Sequence, residues 1–192
     1  GNFDIAYLRC VPNMVVATPS DEHEARLLLN ACYQHPGPAS VRYPRGAGTG
    51  VPAGDSLEPV PIGRAVVRRR GSGVALLVFG TLLSQAAPVA DALGATLVDM
   101  RFAKPLDETL LEELARSHEL FVTIEEAAVM GGAGSAVTEY LNREAIVLPV
   151  LQLGLPDEFI DHGDQKVILA GLGLDAAGIE ASIRQRLNRT IS

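Results

Sequence analysis

The stretch Met14-Val15-Val16-Ala17-Thr18-Pro19-Ser20-Asp21 decides the fold. Its first four residues are a short, wholly apolar run, which suits a strand buried on both faces of a parallel sheet, and Thr18-Pro19-Ser20 ends it in a turn. Asp21 then caps a helix, Glu24 completes a capping box three residues on, and Ala25, Leu28, Leu29 and Cys32 form an apolar stripe at helical spacing. His35-Pro36-Gly37-Pro38 stops that helix, and Ala39-Ser40-Val41-Arg42-Tyr43 reads as a second strand closed by Pro44-Arg45-Gly46. Strand, helix, strand is a βαβ unit, and it places the chain among α/β proteins.

Outward from this unit, residues 46 to 61 hold four Gly and three Pro with little periodicity, the composition of an interdomain linker, so a domain boundary is expected there. Beyond it, Ala65 to Arg69 and Val74 to Phe79 flank Arg70-Gly71-Ser72-Gly73, a spacing that predicts a β-hairpin and hence one antiparallel strand at a sheet edge. Strands at 95–100, 119–124 and 148–153 then alternate with helical segments near 82–93, 107–117, 133–143 and 175–189. Such alternation requires crossover helices, and so a mainly parallel sheet covered on both faces.

Composition narrows the partners. The 192 residues, 47% hydrophobic and 20% charged, suffice for one full core and part of another. A formal charge of -7 argues against nucleic acid or a membrane surface, both polyanions that need a basic face. Cys10 and Cys32 have no metal or redox spacing, which suits a reducing cytoplasm, and no apolar run approaches the roughly 20 residues of a bilayer span. Gly1-Asn2-Phe3-Asp4 carries neither an initiator methionine nor a helix cap; it reads as the middle of a loop, and the chain as a piece of a longer protein.

Two arginines, Arg42 and Arg45, stand at the carboxyl end of a predicted strand, the edge where open α/β sheets bind ligands. A planar guanidinium holds phosphate or carboxylate bidentately, Pro44 stiffens the turn, and Gly46 permits close approach. An interdomain ion pair explains the same residues, and residue types alone leave both readings open. Met130-Gly131-Gly132-Ala133-Gly134-Ser135 follows a strand and opens a helix, but it lacks the lysine of a P-loop and the G-x-G-x-x-G spacing, so tight packing of a helix start is the stronger reading. Glu125 and Glu126 point to opposite strand faces and favour complementing the next helix dipole over acid–base work. Asp99 and Arg101 are expected to anchor a loop, the run Arg68-Arg69-Arg70 to be a solvated turn, and His23, His35, His118 and His162 to be surface histidines without metal-ligand spacing. No catalytic, cofactor-binding or metal-binding residue is assigned in the chain.

Phe3-Asp4, Tyr7-Leu8-Arg9-Cys10-Val11-Pro12-Asn13-Met14 and Thr18-Pro19-Ser20-Asp21-Glu22 together resemble the 1-deoxy-D-xylulose-5-phosphate synthase family, within the transketolase-like superfamily of thiamine-diphosphate enzymes. Val41-Arg42-Tyr43-Pro44-Arg45-Gly46, Val98-Asp99-Met100-Arg101-Phe102, Lys104-Pro105-Leu106-Asp107, the glycine loop at 130–135 and Gly173-Leu174-Asp175-Ala176-Ala177-Gly178 continue the resemblance in order and spacing. The Lys-Pro-Leu-Asp block is also similar to transketolases and 2-oxo-acid dehydrogenase components, so the combination carries the specificity.

The resemblance implies the end of a parallel-sheet pyrimidine-binding domain (residues 1–46), a linker (47–61), and a three-layer transketolase C-terminal-type domain (62–192) with a mostly parallel sheet and one antiparallel edge strand. It implies a cytoplasmic homodimer that uses thiamine diphosphate and Mg²⁺, both bound by residues outside this chain. The implied reaction condenses pyruvate with D-glyceraldehyde 3-phosphate to 1-deoxy-D-xylulose 5-phosphate and CO₂, for isoprenoid (terpenoid), thiamine and pyridoxal phosphate biosynthesis. The partner would be the N-terminal portion of the same enzyme, without which this piece is expected to be inactive, a dimerisation or scaffolding module at most. Arg45 matches the family arginine that reaches the substrate phosphate, and Arg42 is the second candidate for that contact.

Overall fold

A computed structural model describes residues 2–190. From the amino end the chain forms α1 (Asp4–Arg9), β1 (Val15–Ala17), α2 (Glu22–Gln34) and β2 (Ala39–Val41), then an irregular stretch. It continues as β3 (Val66–Arg69), β4 (Gly73–Phe79), α3 (Leu83–Leu93), β5 (Thr96–Asp99), β6 (Phe102–Lys104), α4 (Glu108–Ala115), β7 (His118–Ala128), α5 (Ala133–Arg143), β8 (Val150–Leu155), α6 (Gln165–Gly171) and α7 (Ala176–Thr190). No helix among the described residues is long and apolar enough to cross a membrane.

The period of two along β4 builds the three layers. Ala75, Leu77 and Phe79 point to one face, where they meet Leu111 and Leu114 of α4 and Val137, Tyr140 and Leu141 of α5. Val74, Leu76 and Val78 point to the other, against Ala86, Val89 and Ala90 of α3 and Ile179 and Ile183 of α7. The result is a five-stranded sheet, ordered β3-β5-β4-β7-β8, with helices on both faces. All its pairings are parallel except β3 with β5. The expected mixed sheet with one antiparallel edge strand is thus present.

The expected hairpin is not. β3 pairs with β5, through Val66 to Asp99 and Val67 to Val98, and β5 lies between β3 and β4. The crossover through α3 returns β5 beside β4, on the edge a hairpin would have used. All four residues of β5 are buried, so its outer edge needs a partner, and β3 supplies one. The Arg70-to-Gly73 turn is shaped to step across: Ser72 N–H donates to the Gly94 carbonyl at 3.1 Å, and a Cβ at Gly71 would overlap the Gly94–Ala95 backbone.

A second sheet ties the two halves of the chain together. β1 pairs in parallel with β2, as the βαβ reading requires, but its other edge takes β6 antiparallel, from beyond the predicted linker. Ile5 of α1 and Val16 of β1 also sit fully buried in the core cluster that α4 and α5 cover. Asp4, read from sequence as part of a loop, instead opens α1, its acid complementing the helix start while Ile5 fills the core; Gly1 lies outside the described residues. The strand β6 and helix α6 have no counterpart in the sequence reading, because a three-residue strand and a seven-residue helix carry too little periodicity to register.

Asp21 does cap α2, accepting from Glu24 N–H at 2.8 Å, but the capping box stays half-made. The Glu24 side chain turns inward to Arg68 and Arg101. The buried stripe is accordingly Glu24, Leu27, Leu28, Ala31 and Cys32, and Leu29 is left 60% exposed.

Candidate functional site

Arg42 and Arg45 follow the carboxyl end of β2, and the strand ends around them complete a cleft. Arg42 N–H extends the β1–β2 ladder by donating to Ala17 O at 2.8 Å, and the chain then turns through Tyr43-Pro44-Arg45. Glu126 enters from the end of β7, and Asp161, His162 and Gln165 from the segment leading into α6. These groups, with Asp4, line a cavity of about 460 Å³.

The two arginines differ in state. Arg42 is half-buried, its Nε donating to both Asp4 carboxylate oxygens at 3.0 and 3.1 Å and its Nη2 donating to the Glu126 carbonyl. Arg45 is exposed and lines the cleft. Two of the acids in the cleft have partners: Asp4 pairs with Arg42, and Glu126 accepts hydrogen bonds from Gln165 Nε2 at 2.8 Å and Thr81 Oγ1 at 3.4 Å, while Asp161 is exposed at the rim. A guanidinium offered to solvent in this cleft is suited to an anionic ligand that it can hold bidentately.

The glycine loop is already filled, by a carboxyl group of the chain itself. Glu125 is buried and accepts from Ala133 N–H and Gly134 N–H, both at 2.8 Å, at the start of α5. A Cβ at Gly132 would overlap that carboxylate, so the glycine exists to admit it. Neighbouring Glu126 faces the cleft, as strand alternation requires. Burial pushes the Glu125 carboxyl up from 4.5 to about 7, against the downward pull of the two amides and of Arg42 and Arg9. Its folded value lies above its unfolded one, so its contribution to stability is full below about pH 4.5 and is lost as pH rises through about 7. Glu125→Gln is therefore expected to flatten the fall in stability across that window, as read from denaturant midpoints. Glu125→Ala orphans two buried amides and opens a hole, and should cost about 3 kcal/mol below about pH 4.5 and less as pH rises through about 7.

Behind the cleft, four charged side chains bolt α2 to the larger sheet. Glu24 accepts from Arg101 Nε and Nη2 at 2.7 and 2.8 Å and from Arg68 Nη2 at 2.8 Å. Asp99 accepts from Arg68 at 2.8 Å and from the Ser20 hydroxyl at 2.7 Å. Asp99 and Arg101 anchor structure, as expected from their place after a buried strand. The run Arg68-Arg69-Arg70 is solvated at its tip, where Arg70 pairs with exposed Glu113 and Arg69 with exposed Asp91, but Arg68 departs from that reading and turns to these buried acids. Successive strand residues alternate faces, so three adjacent cations reach different partners.

Of the histidines, His118 is buried, with Nε2 2.8 Å from Thr96 Oγ1 and Nδ1 2.9 Å from the Leu114 carbonyl, so it is a core residue and not a surface one. His162 is exposed but lines the cleft with Arg45, as does Gln165. Sequence reasoning read His162 only as a surface histidine, which its exposure bears out, and did not single out Gln165, because the segment that carries them has neither periodicity nor motif. Among the described residues no group of three or more His, Cys, Asp or Glu is placed to hold a metal ion.

Comparison with known proteins bears on this arrangement. The family described as the transketolase C-terminal domain matches residues 63–179, and the transketolase pyrimidine binding domain matches residues 1–49. A relative named 1-deoxy-D-xylulose-5-phosphate synthase from Bordetella petrii is 65% identical over 190 residues, covering 99% of this chain and 30% of the relative. One of the same name from Pseudomonas fluorescens is 60% identical over 187 residues, 97% of this chain and 30% of its own length. This chain thus spans about a third of the curated relatives it matches. Among solved structures, a split-gene transketolase described as an inactive β4 tetramer superposes with a TM-score of 0.85 at 33% identity, over 98% of this chain and 62% of that one. Transketolase from Leishmania mexicana shares the fold at a TM-score of 0.70 and 19% identity, over 97% of this chain and 27% of its own. The chain belongs to the transketolase C-terminal domain family, carries the end of a transketolase pyrimidine-binding domain ahead of it, and matches 1-deoxy-D-xylulose-5-phosphate synthases along almost its whole length.

Proposed function

We propose that this chain is the C-terminal portion of a 1-deoxy-D-xylulose-5-phosphate synthase, which condenses pyruvate with D-glyceraldehyde 3-phosphate and releases CO₂. The observation that carries the reading is the 65% identity over 99% of the chain to a relative of that name. Residues 1–46 are the end of the pyrimidine-binding domain, 47–61 the connection, and 62–192 the C-terminal domain. The exposed Arg45 binds the phosphate of the aldehyde substrate. Arg42, the second candidate, already carries Asp4 and keeps that acid from repelling the phosphate.

The residues present do not fit thiamine diphosphate or Mg²⁺. The amide nest of the glycine loop is filled by Glu125, and no described cluster suits a metal. We place both sets of ligands elsewhere in the enzyme, along with the covalent chemistry, which belongs to the cofactor. The contribution of this chain is remote binding energy: it holds the non-reacting phosphate and so positions the aldehyde carbon. Phe3, Met130 and Phe159 stand exposed on one side, with Phe3 and Phe159 edge to face at 6.4 Å, and this apolar surface supports burial against the remainder of the enzyme or a second subunit of a homodimer.

The test is donor chemistry in the full-length protein. CO₂ release from pyruvate that depends on glyceraldehyde 3-phosphate is the expected result. Transfer of a ketol group between sugar phosphates without CO₂ would overturn the reading in favour of a transketolase.

A further inference from the structure

The turn that carries Arg45 is glycine-rich and has no regular structure of its own, so something outside it must hold it in place. Its upstream end is pinned at Arg42, through the Ala17 carbonyl and the Asp4 carboxylate. Downstream, the stretch after Gly46 reads as a flexible linker by composition, yet it lies docked along one face of α2. Glu22, Arg26 and Asn30 are successive turns of that helix, and each reaches the stretch. Arg26 Nε donates to the Ser56 carbonyl at 3.3 Å and Asn30 Nδ2 to the Leu57 carbonyl, while His23 Nδ1 lies 3.0 Å from the Ala53 carbonyl.

Glu22 makes the contact nearest the arginine. Its carboxylate accepts from the Thr49 hydroxyl and from Gly50 N–H, each at 2.6 Å. The intervening sequence is shaped to the carboxylate: a Cβ at Gly48 would overlap it, and Gly46 and Gly50 have φ of +139° and +87°, which other residues adopt only with strain. The hydrogen bond from Thr49, with that from Gly50, draws the Glu22 carboxyl down to about 2, so the carboxylate is charged at any pH where the enzyme works.

We propose that Glu22 is a positioning residue for the Arg45 turn, fixing its downstream end so that the guanidinium meets the substrate phosphate. This rests on the reading of Arg45 as the phosphate contact. With Arg42 as one fixed point and Glu22 as the other, only a short glycine-containing span lies free between them. Releasing the Glu22 end leaves Arg45 in place chemically but lets it sample directions that miss the phosphate.

The experiment uses full-length holoenzyme and two aldehydes, glyceraldehyde 3-phosphate and unphosphorylated D-glyceraldehyde. Glu22→Ala is expected to raise KM for the phosphorylated aldehyde about five- to tenfold with kcat within about twofold, and to leave KM for the unphosphorylated one within about twofold. Gly48→Ala, which displaces the carboxylate without removing it, should shift the same constants in the same direction. Adding Glu22→Ala to Arg45→Ala should produce no further rise, because the two act through one contact. If Arg45→Ala raises KM while Glu22→Ala and Gly48→Ala do not, or if they affect both aldehydes equally, the positioning role is overturned and the Arg45 reading stands. If Arg45→Ala itself leaves KM unchanged, the reading beneath the inference falls and takes the inference with it.

Discussion

Replacing Arg45 by alanine in the full-length enzyme is expected to raise KM for glyceraldehyde 3-phosphate about 10²-fold while kcat falls less than about tenfold. Arg42, the other guanidinium of the turn, is committed to Asp4 and to the Glu126 carbonyl, whereas Arg45 stands exposed in the cleft. A bidentate contact between a guanidinium and a phosphate contributes about 2 to 3 kcal/mol, which converts to that change in affinity. The phosphate does not react, so losing the contact weakens ground state and transition state alike, and the effect falls on KM. Arg45→Lys keeps the charge but not the planar fork, and should recover only part of the loss. Unphosphorylated glyceraldehyde is the internal control, since its KM has no phosphate contact to lose. An unchanged KM for the phosphorylated substrate removes Arg45 from the site.

Glu24→Ala should destabilise the protein by about 3 to 5 kcal/mol, the largest stability effect among these residues. Glu24 is 2% exposed and is the acid on which Arg68 and Arg101 converge. Burial alone would raise its carboxyl, but the hydrogen bonds and charges of Arg101 and then Arg68 outweigh that and hold it below its ordinary 4.5. A depressed folded value means stability that is present above pH 4.5 and lost as pH falls through the folded value. Asp99, in the same network, is raised, chiefly by burial, with the Glu24 charge adding to the effect, so its pH dependence opposes that of Glu24. Mutation therefore tests the network more cleanly than acid does. Removing Glu24 leaves Arg101, 13% exposed, as an uncompensated charge. Glu24→Ala with Arg101→Met should regain part of the loss, because the stranded charge is gone. Equal losses in the single and double variants, read by denaturant unfolding, would show that packing and not charge holds α2 in place.

Much of this architecture was legible from local pattern. The apolar run at β1, the Asp21 cap, the Pro-Gly stop after α2, and the helix over residues 133–143 all depend on neighbours within a few positions, and they stand where the residues place them. Where local pattern failed, a distant partner had intervened. Glu24 has the spacing of a capping box, but Arg101, 77 residues away, offers a buried charge pair in place of an amide at the helix end. Arg70-Gly71-Ser72-Gly73 has the chemistry of a hairpin turn, but a buried β5 required a partner on its outer edge and took β3.

The Arg42 to Gly46 turn shows the same division. That two arginines stand at the carboxyl end of a strand, one on each side of a proline, follows from the order of residues. Which of them is free does not. Arg42 meets the end of β7, 84 residues on, only because β6 crosses to the small sheet and brings the two halves of the chain into one core. The sequence by itself determined most of the elements, their α/β order and the presence of an arginine turn at a strand end, since caps, breakers and periodicity act over one or two helical turns. Strand partners, the filling of the glycine loop by Glu125 and the commitment of Arg42 to Asp4 were decided by tertiary structure, because each pairs groups that only the crossovers bring within hydrogen-bonding distance.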